Sequence, residues 1–146
     1  MGNKIEYLVS ACLCGIGTRF DGKAAGDDQM ASWVEKGKAI PVCPEELGSL
    51  PVPRPPGEIE KGDGEDVLSQ KSKVVAEDGE NLTPFFLRGA FASLAIAKRF
   101  KIEKAVLKQN SPSCGCGWIK RKGKLVRGDG VTVALFKKEG IQVIPG

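Results

Sequence analysis

Ile5-Glu-Tyr-Leu-Val-Ser-Ala-Cys12 decides the reading of this chain. Ile5 to Val9 is an apolar run of the kind that fills a strand buried on both faces, and it ends at Ser10-Ala11-Cys12. The same arrangement recurs downstream. Ala39 to Val42 reads as a second short strand ending at Cys43, Ala105 to Leu107 as a third leading into a loop that holds Cys114, and Ile141 to Ile144 as the last. The intervals supply helices. Asp27 to Lys36 carries Met30, Trp33 and Val34 on one stripe, with acidic residues at its start and Gly37 as a stop. Thr83 to about Phe100 is a second helix, capped by Thr83 with Pro84 in its first turn. Phe85, Phe86, Phe91, Leu94, Ala95 and Ala97 cover most of its circumference, which predicts a largely buried helix. Gly130 to Glu139 is the third.

Three smaller features complete the pattern. Lys73 to Ala76 reads as an edge strand before an Asp78-Gly79 turn. Trp118 to Arg127 reads as a hairpin turning at Lys122-Gly123. Leu47 to Asp66, with Pro51, Pro53, Pro55 and Pro56, is too rich in breakers for regular structure; its length and its position after Cys43-Pro44-Glu45 predict a loop bordering a site. Alternation of strand and helix specifies an α/β fold: a small, mostly parallel sheet of flavodoxin- or Rossmann-like order, 2-1-3-4, with helices on both faces and a β-hairpin excursion.

A length of 146 residues fits one domain spanning 1–146. No apolar run approaches the ~20 residues needed to cross a bilayer. The opening segment lacks a signal-peptide core, and Met1-Gly2 opens no myristoylation pattern, so a cytoplasmic protein without a membrane partner is expected. Net charge is +4. The basic run Lys120, Arg121, Lys122, Lys124 and Arg127 reads as a solvated hairpin. A nucleic-acid contact is the sharper alternative, with little stacking surface to support it, since aromatics make up 6% of the chain. Oligomeric state is not legible.

Five Cys and no His narrow the chemistry. An odd Cys count argues against a disulfide framework. Without His there is no Cys₂His₂ zinc site and no His-based acid/base catalysis, so any metal leans on thiolates, as zinc and iron–sulfur clusters do. Cys12, Cys43 and Cys114 share a position at the carboxyl ends of three strands, where open parallel sheets bind ligands. Their separations match no compact Cys motif. On the residues alone they read as cluster ligands, as zinc ligands closed by Cys14 or Cys116, or as small buried hydrophobes.

Ser10-Ala-Cys-Leu-Cys-Gly15, Arg19-Phe-Asp-Gly22, Cys43-Pro-Glu45, Arg54-Pro-Pro56, Leu107-Lys108, Ser111-Pro-Ser-Cys-Gly115 and Gly128-Asp-Gly-Val-Thr132 occur in the order found in the TudS-like thiouracil desulfurases, a family the chain resembles over nearly its whole length. The resemblance implies a [4Fe–4S] cluster held by Cys12, Cys43 and Cys114 with one iron left open. It also implies a non-redox reaction that converts a thiolated pyrimidine, as free base or nucleoside, to the oxo form with release of sulfide. Glu45 matches the family's acidic residue and Ser111 the first Ser of its Ser-Pro-Ser-Cys, which makes them the expected catalytic residues; Lys108 and Asp21 read equally as groups supporting the site or as a surface Lys and a turn Asp. Cys14, Thr18, Phe20 and Cys116 depart from the family pattern. A fourth thiolate from Cys14 or Cys116 would close the open iron and favour the alternative, an iron–sulfur or zinc sensor without turnover.

Overall fold

The computed structural model describes residues 4–23 and 26–146. Met1 to Asn3, where the lipidation reading falls, and Ala24-Ala25 lie outside the described residues.

In chain order the elements are β1 (Tyr7–Ser10), a 3-10 turn (Ala11–Cys14), α1 (Asp28–Glu35), β2 (Ala39–Val42), α2 (Pro44–Leu47), β3 (Gly57–Ile59), α3 (Gly64–Leu68), β4 (Val74–Ala76), α4 (Thr83–Arg99), β5 (Lys104–Leu107), β6 (Trp118–Arg121), β7 (Lys124–Arg127), α5 (Val131–Lys138) and β8 (Gln142–Pro145). β2, β1, β5 and β8 form one parallel sheet in that order, which is the expected 2-1-3-4. β3 with β4 and β6 with β7 form two separate antiparallel pairs. No helix among the described residues is long and apolar enough to cross a membrane.

Strand alternation sorts the core into two layers. Leu8, Ala105 and Leu107 join Phe86, Ala90 and Leu94 of α4 and Val131, Leu135 and Phe136 of α5 in the larger layer. Val9, Ala39 and Val106 meet Met30 of α1 in the smaller one. Helices therefore cover both faces, as parallel sheets require. Asp27 caps α1, its carboxylate accepting from the N–H groups of Gln29 and Met30.

Three expectations are corrected. The Leu47–Asp66 stretch is not structureless. β3 pairs with β4 and buries Ile59 completely, and α3 starts inside the stretch on a capping box between Asp63 and Asp66. A three-residue strand shows no period, and this one exists because β4 supplies its partner. Thr83 is not the cap of α4. Leu82 holds that position, and the Thr83 hydroxyl accepts from the Val74 N–H at 2.9 Å, tying the helix to β4. Nor is α4 buried all round: Phe86, Gly89, Ala90, Ser93, Leu94 and Ala97 face inward, while Phe91 is 53% exposed and Ala95 also faces solvent.

One contact of α4 reaches the site. A Cβ on Gly89 would overlap the Pro44 carbonyl oxygen, and one on Gly48 would overlap that of Phe85. The two glycines let the backbones of α2 and α4 touch, and that contact sets where α2 presents Cys43 and Glu45.

Candidate functional site

Residues paired across the sheet put Ser10, Val42 and Leu107 near one edge, and the chain leaves each strand there into a cysteine segment. Cys12 lies in the 3-10 turn after β1, Cys43 is the N-cap of α2 after β2, and Cys114 lies within the loop between β5 and β6. The three line one cavity of about 320 Å³, together with Glu45, Ser111 and Lys108. Cys14 and Cys116 are not in its wall. Cys14 packs into the smaller core beside α1, and Cys116 packs against the larger core. Asp21 is also outside the wall; its carboxylate pairs with Arg19 at 3.2 Å and accepts the Lys23 N–H.

The loop that bears Cys114 is held from both sides. The hydroxyl oxygen of Ser111 accepts from the N–H groups of Ser113 (3.0 Å) and Cys114 (3.2 Å). With both lone pairs engaged, its proton is left to donate. Behind the loop, the first free N–H groups of α5 donate to it: Val131 to the Pro112 carbonyl at 2.8 Å and Thr132 to that of Ser113 at 2.9 Å. A Cβ on Gly130 would strike the Ser113 carbonyl, so the Gly128–Thr132 motif is the cradle of the cysteine loop. On the β1 side, the Lys108 N–H donates to Ser10 Oγ at 2.8 Å.

Arg54 is the site residue that sequence reasoning missed. Its side chain is 3% exposed. Nε donates to Glu45 Oε2 at 2.7 Å, Nη1 to the Pro51 carbonyl at 3.2 Å, and Nη2 to the Thr18 carbonyl at 2.9 Å. Nη2 also pairs with Glu45 Oε2 and lies 3.8 Å from Cys43 Sγ. The signal available was the Arg54-Pro-Pro56 motif, which places an arginine inside the proline-rich stretch expected to border the site. Arg54, Pro56, Gly57 and Glu58 all line the cavity, which puts the stretch at the site as its position after Cys43 predicts. Lys120 of the basic run also enters the wall. Arg121 is spent on the Ile59 and Gly62 carbonyls, and Arg127 stacks over Trp118.

Electrostatics set the thiols apart from ordinary surface cysteines. Burial pushes the Cys12 thiol up, as does its neighbour Cys43, against the pull of Lys108 and Arg19. Burial also raises Cys43, opposed by the Glu46 backbone and by Arg54. Cys114 is raised well above the usual thiol range by burial and then by Glu45 and Cys43. Cys14 is pushed up to about 11 by burial first and by Cys12 and Asp27 after it. Thiols so buried ionise when a metal's positive charge compensates them.

The donor set, three thiols on the wall of one cavity, suits a thiolate-ligated iron–sulfur cluster. Among the described residues, no three His, Cys, Asp or Glu side chains converge closely enough to share one ion. Gln109, also in the wall, has a buried Nε2 without an acceptor among the described residues, so the polar surround is not completed by the chain itself.

Comparison with known proteins gives three matches. The family model described as 2-thiouracil desulfurase matches residues 7–145. YbbK of Bacillus subtilis (strain 168), a protein described as uncharacterized, is 44% identical over 140 residues, covering 94% of this chain and 93% of the relative. The solved structure of the [4Fe-4S]-dependent thiouracil desulfidase TudS superposes with a TM-score of 0.85 at 38% identity, covering 97% of this chain and 91% of that one.

Proposed function

This chain belongs to the 2-thiouracil desulfurase family, and on that premise we propose that residues 1–146 form a single [4Fe–4S]-dependent desulfurase domain. The reaction is a thiolated pyrimidine plus water giving the oxo pyrimidine plus hydrogen sulfide, with no net change of oxidation state. The carrying observation is that three cysteines from three separate strand ends, one carboxylate and one hydroxyl line the same cavity.

Cys12, Cys43 and Cys114 are the residues that hold the cluster. When bound, it supplies a Lewis-acidic iron without a fourth protein ligand, at which a thiocarbonyl sulfur is polarised. The remaining work falls to the chain. Glu45 takes a proton from the attacking water and returns it to the departing sulfur. Ser111, its oxygen already engaged by two backbone donors, gives its proton as a hydrogen bond to a ring nitrogen or oxygen and so orients the base. Lys108 and Arg19 add positive charge beside Cys12 and favour the thiolate form there. Five free cysteines suit a reducing cytoplasm.

What supports an enzyme over a sensor is the absence of Cys14 and Cys116 from the cavity wall, together with the space left beside the three thiols. The test is anaerobic purification with iron and sulfide analysis, followed by turnover of 2-thiouracil and 4-thiouracil read by loss of thiocarbonyl absorbance. About four irons and four sulfides per chain, with uracil and sulfide as products, are expected. A colourless protein binding one zinc under those conditions overturns the reading.

A further inference from the structure

We infer that Arg54 is a positioning residue that couples the base to the cluster: one guanidinium holds the Glu45 carboxylate and at the same time donates toward the sulfur of Cys43. The inference rests on the cluster assignment above and concerns what this side chain does to the group.

The geometry is specific. Arg54 emerges from the Pro51–Pro56 turn and is anchored by two backbone carbonyls on opposite sides, Pro51 and Thr18. Its backbone N–H donates to the Phe20 carbonyl at 2.8 Å, so main chain and side chain both grip the 18–20 segment of the cavity wall. Nε faces Glu45, and Nη2 is shared by the Thr18 carbonyl, Glu45 Oε2 and, at 3.8 Å, Cys43 Sγ. A guanidinium suits this place because its rigid, permanently charged fork serves several acceptors in one plane, which the point charge of a lysine cannot do.

Cys43 thereby differs from the other two ligands. Among the described residues, Arg54 is the one cationic side chain with a hydrogen bond to a cavity thiol, and its charge opposes the effect of burial there. Cys12 has Lys108 and Arg19 nearby without such a bond, and none of the hydrogen bonds among the described residues joins a cationic side chain to Cys114. An N–H donor and a positive charge on a ligand sulfur draw electron density from the cluster, which raises its reduction potential and makes its iron more electrophilic. The same residue fixes the orientation of Glu45, so base and electrophile are set together.

The test compares anaerobically reconstituted wild-type protein with Arg54→Lys and Arg54→Gln, in the absence of substrate. The expected result is a more negative cluster reduction potential in Arg54→Gln, with Arg54→Lys between it and wild type. On thiouracil, kcat is expected to fall about 10- to 100-fold while KM moves less than about threefold, with partial recovery of Arg54→Gln by added guanidinium. The potential is read without turnover. A wild-type protein that holds the cluster but acts on no thiopyrimidine therefore defeats the proposed function while leaving this inference to the potentials. Wild-type potential and wild-type kcat in a cluster-replete Arg54→Gln overturn it. Loss of the cluster from both variants, not restored by guanidinium, makes Arg54 a scaffold residue and overturns it as well.

Discussion

Ser113 Oγ lies 2.8 Å from Thr132 Oγ1, and both residues are almost completely buried. The pair joins the residue before Cys114 to the first turn of α5, where the Gly128–Thr132 motif already grips the loop through backbone hydrogen bonds. A position between Cys114 and a helix start makes this hydroxyl pair structural, with consequences for the cysteine beside it.

Thr132→Val keeps the shape but strands the Ser113 hydroxyl in the core. A buried polar group that loses its partner costs about 1–3 kcal/mol, whereas replacing both partners by apolar groups is close to neutral. The single substitution is expected to lower the melting temperature and weaken cluster retention, and Ser113→Ala combined with Thr132→Val to recover part of both. A double variant as damaged as the sum of the two singles rules out coupling through this bond.

The thiols divide by position. Cys12→Ser, Cys43→Ser and Cys114→Ser are expected to abolish or cripple the cluster, while Cys14→Ser and Cys116→Ser keep it, because the latter two side chains pack in the cores and not in the cavity wall. Iron and sulfide content after anaerobic purification reads the difference. Full iron content in Cys114→Ser, or loss of the cluster in Cys116→Ser, redraws the ligand set.

Gly89→Ala probes how α4 positions α2. The added methyl meets the Pro44 carbonyl, which is backbone and cannot rotate away. Overpacking costs typically 1–3 kcal/mol, and with a rigid neighbour the upper end, about 3 kcal/mol, is expected. Since α2 carries Cys43 and Glu45, cluster content falls together with stability. Ala90→Gly on the same buried face lacks this clash and is expected to leave the cluster intact. The check is denaturant unfolding paired with iron analysis.

Much of this architecture was legible because it rests on local pattern. The Ala39–Val42 strand and the hairpin turning at Lys122-Gly123 follow from apolar runs and turn residues, and the 2-1-3-4 order is the flavodoxin-like pattern that such a strand–helix alternation commonly adopts. The gathering of Cys12, Cys43 and Cys114 at one sheet edge follows from that order. What escaped depends on partners distant in sequence. β3 exists because β4 pairs with it, and Phe91 is exposed because the face of α4 that meets α2 and α5 is narrower than its apolar residues suggest. Arg54 is buried because Glu45, Thr18 and Pro51 together satisfy its donors. None of these arrangements leaves a period or a spacing in the chain.

Glu45→Gln separates holding from reacting. Glu45 lies in the first turn of α2, two residues past Cys43, and it lines the cavity without being one of the three thiols. Glutamine preserves its size and retains an oxygen to accept from Arg54 Nε, so the ion pair becomes a neutral hydrogen bond and the local fold persists. An amide has no useful proton affinity and cannot accept a proton from water at neutral pH. Loss of a general base costs ~10²–10⁴ in rate. The variant is therefore expected to keep a wild-type absorbance spectrum and iron content and to lose turnover of a thiolated pyrimidine by a factor in that range, measured on cluster-replete anaerobic protein. Because Arg54 loses its anionic partner within the same wall, a modest fall in stability accompanies the loss, and unfolding measured in parallel keeps the two effects apart. Unchanged turnover removes Glu45 from the reaction. A lost cluster makes it a ligand or a scaffold residue, and the proton must then be taken by another group in the cavity.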